Sequence, residues 1–483
     1  MGFGFCIIFV RTAYCGEHSE GGEGMGRKRD YVYHSYTRTM CPECMELIDG
    51  KIVYDDSGAY ILRRCPVHGE SLELLEEDAN WHIHKGDYDK PGTASTCQTK
   101  VDKGCPYDCG LCPSHDQHTC IGLMEITRRC DMSCPTCFAE AGKGRDLDIE
   151  TIGRMMDFYM ESEDGKAEIL QISGGEPTMH PEILKVIAMA KGKGFKYVML
   201  NTNGLRLADD EEFAKALGTF KGGFEVYLQF DGLDDGIYRK MRGRPMLDVK
   251  KRAIANLGRY GVPTTLVCTV DKGINDSGIG QLLLYGMEEK YVRGVNFQPV
   301  AYFGRYSGER NRMTLSGVLK RIEEQTGGLL KMSDFMPLPC DVERVALTYL
   351  FKENGSFIPI TRGKDMSQYR NLIGNTFVFT LEDTIKTLKD EDATFGLSDC
   401  CDLLVDIKRH IPKGFIFKSR ENKMKFVDEN TFRISVSSFV DAWNFDMKSI
   451  QKDCVHVITP DLRRMPFSAF NMVHRGRYDG YYL

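Results

Sequence analysis

Between residues 122 and 300 the chain alternates short apolar runs with longer amphipathic ones. The apolar runs are 122–128, 167–173, 195–201, 224–230, 263–270 and 293–299; the amphipathic ones lie near 149–162, 181–192, 208–218, 246–260 and 278–289. This alternation leaves few architectures open. Buried strands joined by helix-length connections pair in parallel, and each crossover helix covers the sheet. Six such units predict an α/β fold, a partial (β/α)6 barrel of the TIM type, with its functional groups at the C-terminal ends of the strands.

The polar motifs of this region fall at those ends. Cys130-Asp-Met-Ser-Cys134-Pro-Thr-Cys137-Phe138 follows the first strand and sets three thiols in Cys-x3-Cys-x2-Cys spacing. Thiolates at short, fixed separations wrap one inorganic centre. Three of them leave one iron of a cubic four-iron cluster without a protein ligand, the mark of a reactive rather than a structural site. Ser173-Gly174-Gly175-Glu176-Pro177 follows the second strand, where two glycines let the backbone approach a ligand closely. Asn201-Thr-Asn203-Gly204, Gln229-Phe-Asp231-Gly232 and Phe297-Gln298-Pro299 end the third, fourth and sixth strands. The gap of about forty residues from the cysteines to the glycines fits one helix and one strand.

The chain carries 18 cysteines in 483 residues, most of them between 41 and 137 in metal-type spacings. In a long chain this favours metal binding in a reducing compartment over disulfides. Cys41-Pro-Glu-Cys44 and Cys65-Pro-Val-His68 read as two knuckles joined by a hairpin, suited to tetrahedral zinc or a mononuclear iron. Cys41, Cys44 and Cys65 are ligand candidates, with His68 or a later thiol such as Cys97 as the fourth. A purely structural zinc ribbon and a redox role stay equally open. Cys105, Cys109 and Cys112 repeat the Cys-x3-Cys-x2-Cys spacing. No strand precedes them, and Cys120 lies near enough in sequence to complete a closed auxiliary cluster; a structural zinc is the alternative. Cys340, Cys400, Cys401 and Cys454 are either ligands of a second auxiliary cluster or ordinary thiols. Cys268 reads as a small core residue. The basic run Tyr238–Arg244 reads as a solvated face, and Asn354-Gly355 as the turn of a β-hairpin.

The hydrophobic fraction of 42% and charged fraction of 27% are those of a globular protein. A net charge of -6 argues against a nucleic-acid partner. No apolar run is long enough to span a bilayer. The first ten residues are apolar but short and lack a basic start, against a signal peptide. Residues 16–30 are read as disordered, and Met25 as an alternative start that makes the first 24 residues an extension. The expected organisation is an extension over 1–37, a rubredoxin- or zinc-ribbon-like module over 38–90, an auxiliary cluster segment over 91–121, the barrel over 122–304, and a C-terminal α+β domain over 305–483.

Taken in order, Cys130, Cys134 and Cys137 followed by Gly174-Gly175-Glu176 resemble the signature of the radical S-adenosylmethionine (SAM) superfamily. The resemblance implies a 4Fe–4S cluster on the three cysteines, with SAM chelating the free iron. Gly174, Gly175 and Glu176 would receive the amino group of SAM, and Asn203, Gln229 and Asp231 would contact its ribose and carboxylate. Many members carry an aromatic residue just before the last cysteine; Thr136 stands there, and Phe138 follows the motif instead. A closer resemblance covers the Cys41–Cys65 module, the block Gly104–His115 with Gln117–Cys120, and Cys130–Phe138. These are similar to the archaeal tetraether lipid synthases, a group also labelled class D radical SAM methylases, some of whose relatives were assigned to pterin methylation. In that group further cysteines follow the Cys340 position and stand at the Ser468 position, where this chain departs.

The resemblance implies two or three 4Fe–4S clusters, SAM, and mononuclear iron or zinc in the first module. It implies reductive cleavage of SAM to a 5′-deoxyadenosyl radical that takes hydrogen from an unactivated C–H bond. The leading expectation is C–C bond formation between isoprenoid or alkyl lipid chains; the alternative is radical methylation of a pterin or other small molecule. A non-catalytic iron–sulfur or zinc scaffold is the third reading. The implied partners are a lipid or small-molecule substrate and a reductant such as ferredoxin or flavodoxin, in a cytoplasmic enzyme with transient membrane-surface contact for a lipid. A lipid needs a long apolar tunnel, a pterin a compact polar pocket.

Overall fold

The computed structural model describes residues 30–93, 95–220, 222–306, 308–353, 356–369, 373–375, 377, 419, 426 and 430–482. Strands β1 (Val32–Met40), β2 (Leu47–Asp55), β3 (Gly58–Cys65) and β4 (Gly69–Glu76) form an antiparallel sheet in chain order. The β2–β3 turn is fixed by Asp55, whose carboxylate accepts from the Ser57 and Gly58 N–H groups. Strand β1 corrects the expected extension to residue 37: pairing starts at Val32, opposite Tyr54, and runs to Met40, opposite Leu47. Helix α1 (Ala79–His84) follows. Buried polar contacts fasten this sheet to the rest of the chain. Thr39 Oγ1 donates to the Phe445 carbonyl at 2.6 Å, and Arg63 to the Trp443 carbonyl at 2.5 Å. The Arg312 guanidinium lies between Glu73 and the fully buried Asp441.

The expected alternation folds into six parallel strands lying side by side in sequence order: β5 (Ile121–Glu125), β6 (Ile169–Ser173), β7 (Tyr197–Thr202), β8 (Phe224–Gln229), β9 (Thr264–Val270) and β10 (Val292–Pro299). Helix α2 (Ile149–Ser162) shows why the crossovers form. Asp148 caps it by accepting from the Thr151 N–H, and Ile152, Met155, Met156 and Tyr159 make one buried stripe at helical spacing. Each such side chain contributes roughly 1.5–3 kcal/mol by leaving water. Helix α3 (Ile183–Gly192) also lies where periodicity placed it. The single helix expected over 208–218 is two, α4 (Leu205–Asp209) and α5 (Glu211–Leu217), because Asp210 turns to cap the second by accepting from the Phe213 N–H. Helix α6 (Asp235–Arg242) occupies the run read as a solvated basic face; its Tyr238 and Met241 are fully buried. Helices α7 (Leu247–Arg259) and α8 (Ile279–Glu288) complete the crossovers, and α9 (Leu315–Gln325) follows the last strand.

The remaining strands are β11 (Met336–Leu338), β12 (Asp341–Glu353), β13 (Ser356–Pro359), β14 (Thr431–Ser437), β15 (Val455–Ile458) and β16 (Arg464–Pro466). The C-terminal residues do not stand apart as the sequence suggested. Strand β14 pairs in parallel with β10, and β15 in parallel with β5. The sheet therefore holds eight parallel strands, in the order β15-β5-β6-β7-β8-β9-β10-β14, edged by antiparallel β12 and β16. It curls until its ends pack together, with Leu338, Cys340, Val345 and Leu347 in one buried cluster with Cys120 and Cys454. Strands β12 and β13 pair as the expected hairpin, whose turn residues Asn354 and Gly355 lie outside the described residues. Cys6, Cys15, Cys400, Cys401 and the expected N-terminal extension through residue 29 also lie outside them. Among the described residues no helix is long and apolar enough to cross a membrane.

Candidate functional site

The curled sheet encloses a cavity of about 370 Å³ that reaches from the cysteine loop above β5 down between the strands. Cys130, Cys134, Thr136, Cys137 and Phe138 line one end. The three thiols are half-buried, and their sulfurs are not gathered within reach of a single ion. That spread suits a cluster, whose thiolates bind separate irons. Burial pushes the Cys130 thiol up to about 12 and also raises Cys134; a bound metal reverses that preference. Phe138 turns into the barrel, 5.3 Å from the Phe467 ring, and Thr136 Oγ1 donates to the Met241 carbonyl.

The turn after β6 holds this loop in place. Gly174 has φ +138°, and a Cβ there would stand 2.3 Å from the Thr127 carbonyl; one on Gly175 would stand 2.3 Å from the Arg129 carbonyl. The glycines thus admit the chain leading into Cys130, a tighter neighbour than the ligand their spacing suggested. Gly175 N–H donates to Thr127 O and Glu176 N–H to Arg129 O, both at 2.8 Å. The Glu176 side chain is 1% exposed. Its carboxylate accepts from the Thr178 and Thr202 hydroxyls and from the Thr178 and Asn203 N–H groups, so it ties the end of β6 to the end of β7. Burial raises its pKa against those hydrogen bonds. Asn203 lines the cavity and donates to Asp131 inside the cysteine loop at 2.7 Å.

Asp231 does not face the cavity as expected for a SAM contact. Its carboxylate is buried and forms a two-pronged pair with Arg242 at 2.6 and 2.7 Å, with Gln229 donating to the same group at 2.8 Å. Arg242, its partner, does line the cavity, beside Cys134. Burial works against its charge, but Asp231 and Cys134 hold its pKa above the ordinary guanidinium value. Arg242 lies four residues after buried Tyr238, so helical spacing in that run was the signal for it. Asp341, Arg344 and Asp453 also line the cavity, brought there by pairings across the whole chain that no local pattern reveals.

Nine of the other described thiols form three groups. Cys41, Cys44, Cys65 and His68 offer donor atoms all within 4.8 Å of one another; Cys44 and Cys65 sulfurs are 3.9 Å apart, and His68 Nδ1 lies 3.4 Å from Cys41 and 3.5 Å from Cys65. The Val67 and His68 N–H groups aimed at Cys65 lower its thiol to about 6. Of the two fourth donors left open, His68 is in place and Cys97 is exposed elsewhere. Cys105, Cys109 and Cys112 are buried on a loop shaped by Asp108, which accepts from three successive N–H groups, of Asp102, Lys103 and Gly104. Cys120 is not their fourth member. It has crossed to the start of β5, where its sulfur gathers with those of Cys340 and Cys454.

A model of the radical SAM superfamily matches residues 124–285, and a model of the HMPTM N-terminal zinc ribbon domain matches residues 33–77. The chain is 33% identical over 480 residues to the 7,8-dihydro-6-hydroxymethylpterin dimethyltransferase of Methanocaldococcus jannaschii, covering 91% of this chain and 94% of the relative. It is 31% identical over 206 residues to the Fe-coproporphyrin III synthase of Methanosarcina barkeri, covering 39% of this chain and 45% of that one. Among solved structures, SuiB of Streptococcus suis aligns with a TM-score of 0.37 at 17% identity, over 44% of this chain and 46% of that one. The likeness to the dimethyltransferase runs through the ribbon, the barrel and the strands that close it, and the chain accordingly belongs to the radical SAM superfamily, in the same family as that Methanocaldococcus jannaschii enzyme.

Proposed function

We propose that this radical SAM enzyme methylates a small heterocycle of the dihydropterin class. The observation that carries the reading is the cavity beside Cys130–Cys137. Its volume is about 370 Å³, and Gln171, Asn201, Gln229, Asn296 and Gln298, from four strands, line it together with apolar Ile121, Ile169 and Val267. A flat ring with polar edges offers these amides further partners, whereas a long isoprenoid chain offers none. The full-length relative, named for a hydroxymethylpterin, supports the same choice over lipid coupling.

Superfamily membership brings SAM and 4Fe–4S clusters as cofactors. When bound, they supply a 5′-deoxyadenosyl radical that removes hydrogen from a substrate C–H bond. In this reading Cys130, Cys134 and Cys137 hold the cluster that meets SAM. The Gly174–Gly175 backbone, Asn203 and Gln229 frame the SAM pocket, while Glu176 and Asp231 act behind it as positioning residues. Arg242 sets a fixed positive charge beside Cys134. Cys105, Cys109 and Cys112 hold an auxiliary cluster, and Cys41, Cys44, Cys65 and His68 hold zinc or iron. The enzyme is tested by anaerobic incubation with SAM, a strong reductant and either 6-hydroxymethyl-7,8-dihydropterin or an archaeal diether lipid. The expected result is pterin-dependent 5′-deoxyadenosine, with a methylated pterin formed when a methyl donor, a second SAM or an added one-carbon carrier, is present. Turnover with the lipid and none with the pterin would reverse the assignment.

A further inference from the structure

Cys120, Cys340 and Cys454 come from three distant parts of the chain. Cys120 lies just before β5, Cys340 in the tight turn between β11 and β12, and Cys454 just before β15. All three are at most 1% exposed, and their sulfurs lie within 4.8 Å of one another, Cys340 and Cys454 at 3.8 Å. The backbone repeats the junction, with Cys120 N–H donating to the Cys454 carbonyl at 2.9 Å.

Three mutually touching thiols cannot resolve into disulfides without leaving one over. Their spacing has a simpler reading. A tetrahedral ion with metal–sulfur bonds of about 2.3 Å sets its sulfurs about 3.8 Å apart. The ribbon shows the same spacing, 3.9 Å between Cys44 and Cys65. Thiolates on separate irons of a cluster stand farther apart, as the Cys130 set does. His118 Nε2 lies 3.7 Å from Cys120 Sγ, but His118 does not gather with all three sulfurs, and its Nδ1 faces the Gln117 amide nitrogen at 3.4 Å. An amide N–H donated to Nδ1 leaves the proton of a neutral ring on Nε2, so His118 is placed to donate toward Cys120 rather than to ligate.

We propose that Cys120, Cys340 and Cys454 hold one mononuclear divalent ion of the zinc or ferrous type through their three thiolates. The site lies outside both regions matched by the family models. It clamps the β11–β12 end of the curled sheet to the β15–β5 end, and so closes the wall of the substrate cavity.

The test is metal and acid-labile sulfide analysis of the anaerobically purified full chain and two variants. Metal in excess of sulfide counts mononuclear ions, since a 4Fe–4S cluster holds both in equal number. The double variant Cys41→Ser/Cys44→Ser empties the ribbon and leaves the barrel untouched; about one excess ion per chain should remain. Cys340→Ser/Cys454→Ser should lose about one excess ion with sulfide unchanged, and its melting temperature should fall. No excess ion in the ribbon variant overturns the proposal. So does a loss of about four sulfides in the barrel variant, which would place a cluster at these cysteines.

Discussion

The ribbon and the barrel mouth are built from the same sequence device, cysteines two or three residues apart on a tight turn, yet they face opposite ways. In the ribbon Cys41, Cys44, Cys65 and His68 point at one another and make a closed set of four donors. At the mouth Cys130, Cys134 and Cys137 are spread along the wall of a cavity. The ribbon's donors are set by a hairpin that brings its own ends together. The mouth's loop is set from outside, by Gly175, Glu176 and Asn203 from two other strand ends. A closed donor set stabilises a fold; an open one held by its surroundings leaves a coordination position for chemistry.

The sharpest break in that comparison is Cys134→Ala. It should reduce 5′-deoxyadenosine formation to background while the ribbon keeps its metal, measured by product analysis and metal content on one preparation. Next is Arg242→Met, which leaves the Asp231 carboxylate buried and unpaired. Denaturant unfolding should show a loss of about 3–5 kcal/mol, and SAM cleavage should fall with it. Gly175→Ala sets a Cβ against the Arg129 carbonyl. It should cost about 1–3 kcal/mol and weaken SAM binding in equilibrium dialysis, with amide exchange in β1–β4 unchanged. The converse is Cys41→Ser/Cys44→Ser. Amide exchange should quicken in β1–β4 only, and SAM cleavage should fall no more than a few-fold.

The smallest effect concerns pH. Burial pushes the Glu343 carboxyl up, but Lys85 at 2.5 Å and nearby His82 bring it down to about 2. A folded pKa below the unfolded value of about 4.3 stabilises the protein fully above roughly pH 5. That contribution is lost as pH falls toward 2. Glu343→Gln should therefore flatten the decline of stability between pH 5 and 3 in urea titrations; an unchanged slope would mean the pair carries no linkage.

The six parallel strands and most of their helices were legible because each depends on a local period, as the Ile152–Tyr159 stripe shows. The motif residues were also placed at the right strand ends. What escaped the sequence lay in long-range pairing. Nothing near β14 or β15 announces that their partners are β10 and β5. Cys120 is eight residues from Cys112 and was grouped with it, but the chain between them runs on to the sheet, with Gln117 and Thr119 buried along the way. Asp231, expected at the ligand, is instead buried as the partner of Arg242, and Arg242, expected on a solvated face, lines the cavity.

The parallel pairing of β15 with β5 sets an order of events during synthesis. Residues 121–123 wait for residues 455–457, and Glu125 waits for Arg475 and for the Tyr482 hydroxyl, which donates to its carbonyl. A chain emerging N-terminus first thus exposes Cys130–Cys137 and the floor of the cavity along one side until its last thirty or so residues dock. Inorganic centres have an unroofed barrel to enter, and docking then shuts them in. A nascent chain stalled at about residue 440 should accept iron and sulfide at the mouth yet lose them quickly, whereas the finished protein, loaded by the same route, should hold them.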